Sequence, residues 1–340
     1  MFIYTFGFLP QSPDFSRQRV FDTPRRITTI QEREEVYQVQ DVARLQDEIL
    51  QLKEKRNAII LAHNYQRPEV QDIADVTGDS LELARAATRM DGEVIVFCGV
   101  DFMAETAAIL SPERTVLLPA EHACCPMAEM VSAEELRFAR ARTPDAAVVC
   151  YVNTTAEVKA ESDICCTSAN AVKVVNSVNE DRVIFVPDRN LGRYAARFTE
   201  KTILPWEGYC IVHDRFTKKD MEQAKAAHPD AVVLVHPECP PEVIDLADHV
   251  ASTSGIISHV KAAPDREYII GTEVGILHRL AKECPGTQCY PLSEKAVCVN
   301  MKKTDLVKVR DALVTLKPRI TVPEETAARA RRAIERMLAL

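Results

Sequence analysis

Short apolar runs alternate with helically spaced segments along most of this chain. The first clear run, AIILAH (58–63), predicts a buried strand that ends on polar Asn64 and Tyr65. EVIVFCG (93–99) and TVLLP (115–119) predict two further strands, with helices over 78–88 and about 102–109 between them. The same grammar returns in AAVVCYVN (146–153), the short run 164–168 and VIFVPD (183–188), with helices over 169–178 and 190–199. It returns again in AVVLVHPE (231–238), YIIGTE (268–273) and QCYPLS (288–293). Helices over 241–248 and 274–284 and a strand-to-helix passage at HVASTSGIISHV (249–260) separate these. A helix is also predicted from about 40 to 56, and two more within 304–340, split near Lys317-Pro318. Residues 1–38 carry Pro10, Pro13 and Pro24 without periodicity and read as an arm or poorly ordered extension. Strands alternating with helices imply parallel sheets and an α/β fold.

A long-range echo divides this pattern. His63, Asp75 and Cys125 stand 12 and 50 residues apart, and His236, Asp248 and Cys298 repeat both spacings at an offset of 173. A looser copy, Asn153, Asp163 and Cys210, lies between them at spacings of 10 and 47. Three related units follow, over 39–126, 127–211 and 212–303, after the extension 1–38 and ahead of the C-terminal helices 304–340. Cysteines at equivalent points of three repeats can converge on one axis. In open α/β sheets, ligands bind beyond the carboxyl ends of the strands. His63, Asn64, Tyr65, Tyr151, Asn153, His236 and Glu238 fall there.

Composition narrows the function. With 46% apolar and 27% charged residues and a net charge of −8, the chain reads as globular, and nucleic acid is excluded as a partner. No glycine-rich nucleotide-binding motif occurs among its 10 glycines. The 11 cysteines are odd in number, follow no secretory signal and lie partly in strand-like runs, which suits reduced thiols in a cytoplasmic protein. No C-x-x-C and no run of 18 apolar residues occurs, so neither a zinc ribbon nor a membrane span is expected.

Three constellations carry chemistry. Cys125, Cys210 and Cys298 each follow the final strand of a unit. Thiolates suit iron–sulfur clusters, zinc or Cu(I), and three of them leave one iron of a [4Fe–4S] cube open as a Lewis acid. The competing reading is ordinary buried cysteine, and Cys124 competes with Cys125. Ser80, Ser168 and Thr253 each stand five residues after Asp75, Asp163 and Asp248. They read as helix-start anion sites or as plain caps. His63, Tyr65, His236 and Glu238 supply acid–base groups, and His213 stands three residues after Cys210.

The strings that carry this pattern resemble the quinolinate synthase family. They are LAHNYQ (61–66), GDSLELA (78–84), CGVDFMAETA (98–107), CPMA (125–128), YVNTTAEVKAESD (151–163), PDRNLG (187–192), HPECPPEV (236–243), STSGI (252–256), GTEVGILHRL (271–280) and SEKAVCVNMKKT (293–304). The resemblance implies three similar α/β/α domains with short parallel sheets around a pseudo-threefold axis. It implies a transferase of NAD biosynthesis that condenses iminosuccinate with dihydroxyacetone phosphate to give quinolinate, phosphate and water. One [4Fe–4S] cluster per chain would sit on Cys125, Cys210 and Cys298. His63, Ser80, Tyr151, Val152, Asn153, Ser168, His236, Pro237, Glu238 and Thr253 would contact substrate, and His213, from its place beside Cys210, would either face substrate or support a residue that does. Glu238 would be the base, assisted by His236 or His63, with Tyr65 moving protons during triose isomerisation. Transient contact with L-aspartate oxidase is a further expectation. CVNM stands where the family more often has CPNM, and WEGYCIVH varies around Cys210. Two rival classes remain: a hydro-lyase of a hydroxy acid using the same open iron, and a non-enzymatic iron–sulfur sensor or zinc-stabilised binding protein.

Overall fold

The apolar runs build three separate parallel sheets of four strands each. The structure, a computed structural model, describes residues 30–340, with side chains from 41 onward. Sheet one contains β1 (Ala58–His63), β2 (Val76–Gly78), β3 (Val94–Cys98) and β4 (Thr115–Leu117), in the order β2-β1-β3-β4. Sheet two contains β5 (Ala146–Tyr151), β6 (Ile164–Cys166), β7 (Arg182–Val186) and β8 (Thr202–Pro205), ordered β6-β5-β7-β8. Sheet three contains β9 (Val232–Val235), β10 (His249–Val250), β11 (Tyr268–Gly271) and β12 (Cys289–Pro291), ordered β10-β9-β11-β12. The expected α/β class with three similar parallel sheets is thus what the chain forms.

Each sheet has the same logic. β1, β5 and β9 are buried along their whole length, as strands covered by helices on both faces must be. The chain leaves each of them toward one edge and returns to form β3, β7 or β11 on the other side. A crevice therefore opens at the carboxyl ends between these neighbours. Register places Ala62 beside Cys98, Cys150 beside Val186 and Val235 beside Gly271. His63, Tyr151 and His236 are then equivalent, and so are Tyr65, Asn153 and Glu238. This corrects the second copy of the echo. Its first member is Tyr151, not Asn153, and the spacing from Tyr151 to Asp163 is again 12.

The repeated aspartates are structural. The carboxylates of Asp75, Asp163 and Asp248 accept the N–H of Ile60, Val148 and Val233, each at 2.8 Å. Their own N–H groups donate back to the carbonyls of the same three residues. Each aspartate thus locks the entry of a short edge strand onto the central strand.

Helices not anticipated from the sequence open the second and third units. Ala133–Arg142 and Lys218–Ala227 start with capping boxes, Ser132 with Glu135 and Thr217 with Asp220. The N-terminal helix runs Ile30–Lys55, so it begins at Ile30 rather than near residue 40. Of the described residues, 30–41 belong to a unit separate from 42–340. The expected extension over 1–38 lies outside the described residues up to residue 29.

The C-terminal helices lie in the core rather than beside it. Leu306–Thr315 buries Leu306, Val309 and Leu313 with Ile49 and the outer face of sheet one. Glu324–Leu338 buries Ala330, Ala333, Ile334 and Met337 with Val158 and Ile164 of the second unit. Among the described residues, no helix is long and apolar enough to cross a membrane.

Candidate functional site

The carboxyl ends of the three sheets converge on one cavity. Of the residues expected at the site, all but Asn64, Val152 and Pro237 line it. Val152 faces a small adjoining cavity with Ser80, Phe102 and Met103. The sequence did not point to Phe102, Met103, Met127, Val212 and Met301, which close the walls with apolar surface. Such residues carry no signal in a sequence, because a wall of a site and a piece of core have the same composition.

The central groups form one connected chain. Glu238 is buried and accepts from Tyr151 Oη at 2.5 Å through Oε1. Its Oε2 lies 2.6 Å from His213 Nδ1. On the other side of that ring, Nε2 lies 2.8 Å from Thr272 Oγ1, and Thr272 Oγ1 lies 2.6 Å from Tyr65 Oη. With the His213 Nδ1 proton directed at the carboxylate, Nε2 is left to accept from Thr272. Thr272 then accepts from the Tyr65 phenol. The order Tyr65, Thr272, His213, Glu238 is a directed path for a proton between a phenol and a carboxylate. Thr272 was not singled out from the sequence, and it lies just behind the cavity wall.

Two histidines are fixed by a repeated local device. Tyr65 N donates to His63 Nδ1 at 3.2 Å, and Glu238 N donates to His236 Nδ1 at 3.3 Å. Each ring therefore carries its proton on Nε2. Burial holds both rings down at about 3, against the pull of the Glu238 charge. They are neutral hydrogen-bond donors near neutral pH. The His213 ring stacks on His236 with centroids 4.5 Å apart.

The carboxylate and the phenols are driven apart in acidity. Burial would raise Glu238, but the neighbouring His236 and His213 and the hydrogen bonds from His213 and Tyr151 outweigh it and hold Glu238 below its ordinary range. Burial and the Glu238 charge push Tyr65 and Tyr151 well above the usual phenol value. The site thus presents an ionised base beside phenols that keep their protons.

The hydroxyls at the helix starts are not caps. Asp79 and Ser252 cap the helices Ser80–Arg89 and Thr253–Ala262, which frees Ser80 and Thr253 at the first helical position. Thr253 Oγ1 accepts from Asn64 Nδ2 at 2.8 Å, and Asn64 Oδ1 accepts from Arg279 at 2.8 Å. Ser168 differs: it lies two residues before the N-cap Asn170, within a turn. No lysine or arginine among the described residues lines the cavity. Negative substrate groups would therefore meet helix N-termini, hydroxyls and the Asn153 amide, whose Oδ1 is buried without a partner.

Cys125, Cys210 and Cys298 reach the same cavity from three loops, and Cys124 does not line it. Burial pushes the Cys125 thiol up to about 12, with the Cys298 charge adding to the rise. Burial, Glu238 and the Cys125 charge do the same to Cys210, and burial raises Cys298. Three soft donors lining one cavity fit a sulfur-ligated metal centre, whose binding would displace the thiol protons. Cys210, His213 and Glu238 also hold donor atoms within 4.8 Å of one another. Hydrogen bonds account for that cluster, since His213 Nδ1 lies 3.2 Å from Cys210 Sγ as well as beside Glu238.

The chain is similar to known proteins over most of its length. The family model described as Quinolinate synthetase A protein matches residues 47–339. The chain is 79% identical over 300 residues to the quinolinate synthase of Methanoregula boonei, covering 88% of this chain and 99% of that protein. It is 59% identical over 294 residues to the quinolinate synthase of Desulforudis audaxviator, covering 86% and 97%. It is 54% identical over 292 residues to quinolinate synthase 1 of Methanosarcina acetivorans, covering 86% and 96%.

Proposed function

The chain belongs to the quinolinate synthase A family of enzymes, and from that membership we propose that it condenses iminosuccinate with dihydroxyacetone phosphate to quinolinate, releasing phosphate and water. The observation that carries the reading is the meeting of Cys125, Cys210 and Cys298 in one cavity with the chain from Tyr65 to Glu238. A transferase of NAD biosynthesis in the cytoplasm, receiving unstable iminosuccinate through transient contact with L-aspartate oxidase, is the corresponding setting.

Cys125, Cys210 and Cys298 would hold one [4Fe–4S] cluster, which when bound supplies an iron without a protein ligand, a Lewis acid for departure of a hydroxyl as water. The chain's own residues handle substrate and protons. Ser80 and Thr253 offer hydroxyls at helix starts, where exposed N–H groups favour a carboxylate or phosphate. The Asn153 amide and the Tyr151 phenol add directional contacts, and His63 and His236 donate from Nε2. Tyr65 takes a proton from a triose oxygen or carbon as it passes its own through Thr272 to His213 Nε2, and the reverse relay returns that proton to substrate. Glu238 stabilises His213 when that ring carries the extra proton and accepts protons in its own right. The apolar walls exclude bulk water and limit hydrolysis of the imine.

The deciding assay is anaerobic, with L-aspartate, an aspartate oxidase and dihydroxyacetone phosphate, and quinolinate as the readout. Quinolinate that depends on the triose phosphate supports the reading. Dehydration of a hydroxy acid with indifference to the triose would replace it with a hydro-lyase. A folded Cys298→Ala protein is expected to lose iron and form little or no quinolinate, and full activity there would overturn the ligand assignment.

A further inference from the structure

Behind each of the three ligand cysteines stands a buried or half-buried carboxylate that belongs to a different loop of the same unit. Cys125 N donates to Asp101 Oδ1 at 3.3 Å, Cys210 N to Asp188 Oδ2 at 3.2 Å, and Cys298 N to Glu273 Oε1 at 3.1 Å. The separations along the chain are 24, 22 and 25 residues. All three acids follow the strands that flank the crevices: Asp101 after β3, Asp188 after β7 and Glu273 after β11.

A backbone bond completes each clamp. The third residue past the end of the strand donates its N–H to the carbonyl two residues before the cysteine. Asp101 donates to Ala123 at 2.9 Å, Arg189 to Gly208 at 2.8 Å and Val274 to Ala296 at 2.9 Å. The same carboxylates also accept from the segment that follows them: Phe102 N at 2.8 Å, Leu191 N at 2.7 Å and Gly275 N at 2.7 Å. An acid that only capped its own helix would have no need to spend an oxygen on a loop more than twenty residues away. The arrangement occurs three times, on different residue types, with Asp188 and Glu273 wholly buried.

We propose that Asp101, Asp188 and Glu273 are positioning residues that hold the three ligand cysteines in the register a shared metal centre requires. The proposal rests on the reading of those cysteines as cluster ligands. The third clamp extends further. Lys302 Nζ lies 3.0 Å from Glu273 Oε1 and donates to the Tyr65 carbonyl at 2.5 Å, so Glu273 also connects the Cys298 loop to Tyr65.

The oxygen assignments make a distinguishing test. Asp188 and Glu273 each use both oxygens, one for the cysteine N–H and one for the following segment. An amide has only one accepting oxygen, so Asp188→Asn and Glu273→Gln must lose one of the two bonds. Asp101 serves both donors from the single oxygen Oδ1, so Asp101→Asn can keep both. The full chain and the three variants would be loaded with iron and sulfide anaerobically. Iron release to an excess of chelator would then be followed by the visible absorption of the cluster, alongside circular dichroism of the metal-free proteins. Asp188→Asn and Glu273→Gln are expected to release iron about tenfold faster than the parent. Asp101→Asn is expected to stay within about twofold of the parent. Glu273→Asp keeps the charge and both oxygens on a shorter arm, and it provides a second variant should an amide variant not fold. It is expected to release iron faster than the parent as well. Parent-like release by folded Asp188→Asn and Glu273→Gln, or equal lability in all three, would overturn the proposal while leaving the functional reading intact. A parent chain that takes up no iron through its cysteines would instead overturn the functional reading, and this inference with it.

Discussion

His63 and His236 keep a cost that is visible in pH. Burial lowers both to about 3, whereas the unfolded chain titrates them near 6.5. Between those values the unfolded state binds more protons, so stability is fully present above 6.5 and falls as pH drops. Each ring loses about 1.4 kcal/mol per pH unit below 6.5, or about 2 kcal/mol by pH 5. Denaturant midpoints of the metal-free protein at pH 7 and pH 5 check this. The difference between the two should shrink by about 2 kcal/mol in His236→Gln, and an unchanged difference would show that the ring is charged in the fold. The Thr272 hydroxyl is tested by removing only its oxygen. Thr272→Val keeps the shape and breaks the path, and should lower kcat by about 100-fold with little change in KM. Thr272→Ser should restore most of the loss, and a valine variant with parent-like kcat and pH profile would remove Thr272 from the proton path. The residues that the sequence hid are of this kind. Thr272 acts through His213, and Asp101, Asp188 and Glu273 differ in type and in spacing, so no fixed offset exposes them.

At the scale of elements, the echo in the sequence has two separate causes. The cysteines and the strand-end groups repeat because they face the site, while Asp75, Asp163 and Asp248 repeat because they fasten edge strands. Asp248→Ala would leave the buried Val233 N–H without its carboxylate and should cost about 1–3 kcal/mol. A lowered thermal midpoint with unchanged activity per folded molecule is the expected result, and lost activity in a stable protein would contradict it. The central strands were legible because apolar runs buried on both faces have no other use. The edge strands β2, β6 and β10 were harder to read, being three, three and two residues long. The helices Ala133–Arg142 and Lys218–Ala227 bury only Leu136 and Met221 completely, so they showed no apolar stripe. Their capping boxes were the available signal.

The whole molecule depends on its C-terminal helix. Ile334 and Met337 fill the core beneath β6, and Arg336 Nη1 donates to the Asp163 carbonyl at 2.6 Å while Arg331 Nε donates to the Ile109 carbonyl at 2.7 Å. The helix thus fastens the first unit to the second. Ile334→Ala should destabilise by about 2–5 kcal/mol, read as a lower thermal midpoint, and a change below about 1 kcal/mol would place the helix outside the cooperative core. The equivalence of His63, Tyr151 and His236, and of Tyr65, Asn153 and Glu238, bears on how such an enzyme could arise. A ring of three identical small chains could build the same cup, but symmetry would force one side chain into all three copies of each position. Joining the copies end to end releases that constraint, and a phenol, an amide and a carboxylate then surround a single guest, each free to take a different task.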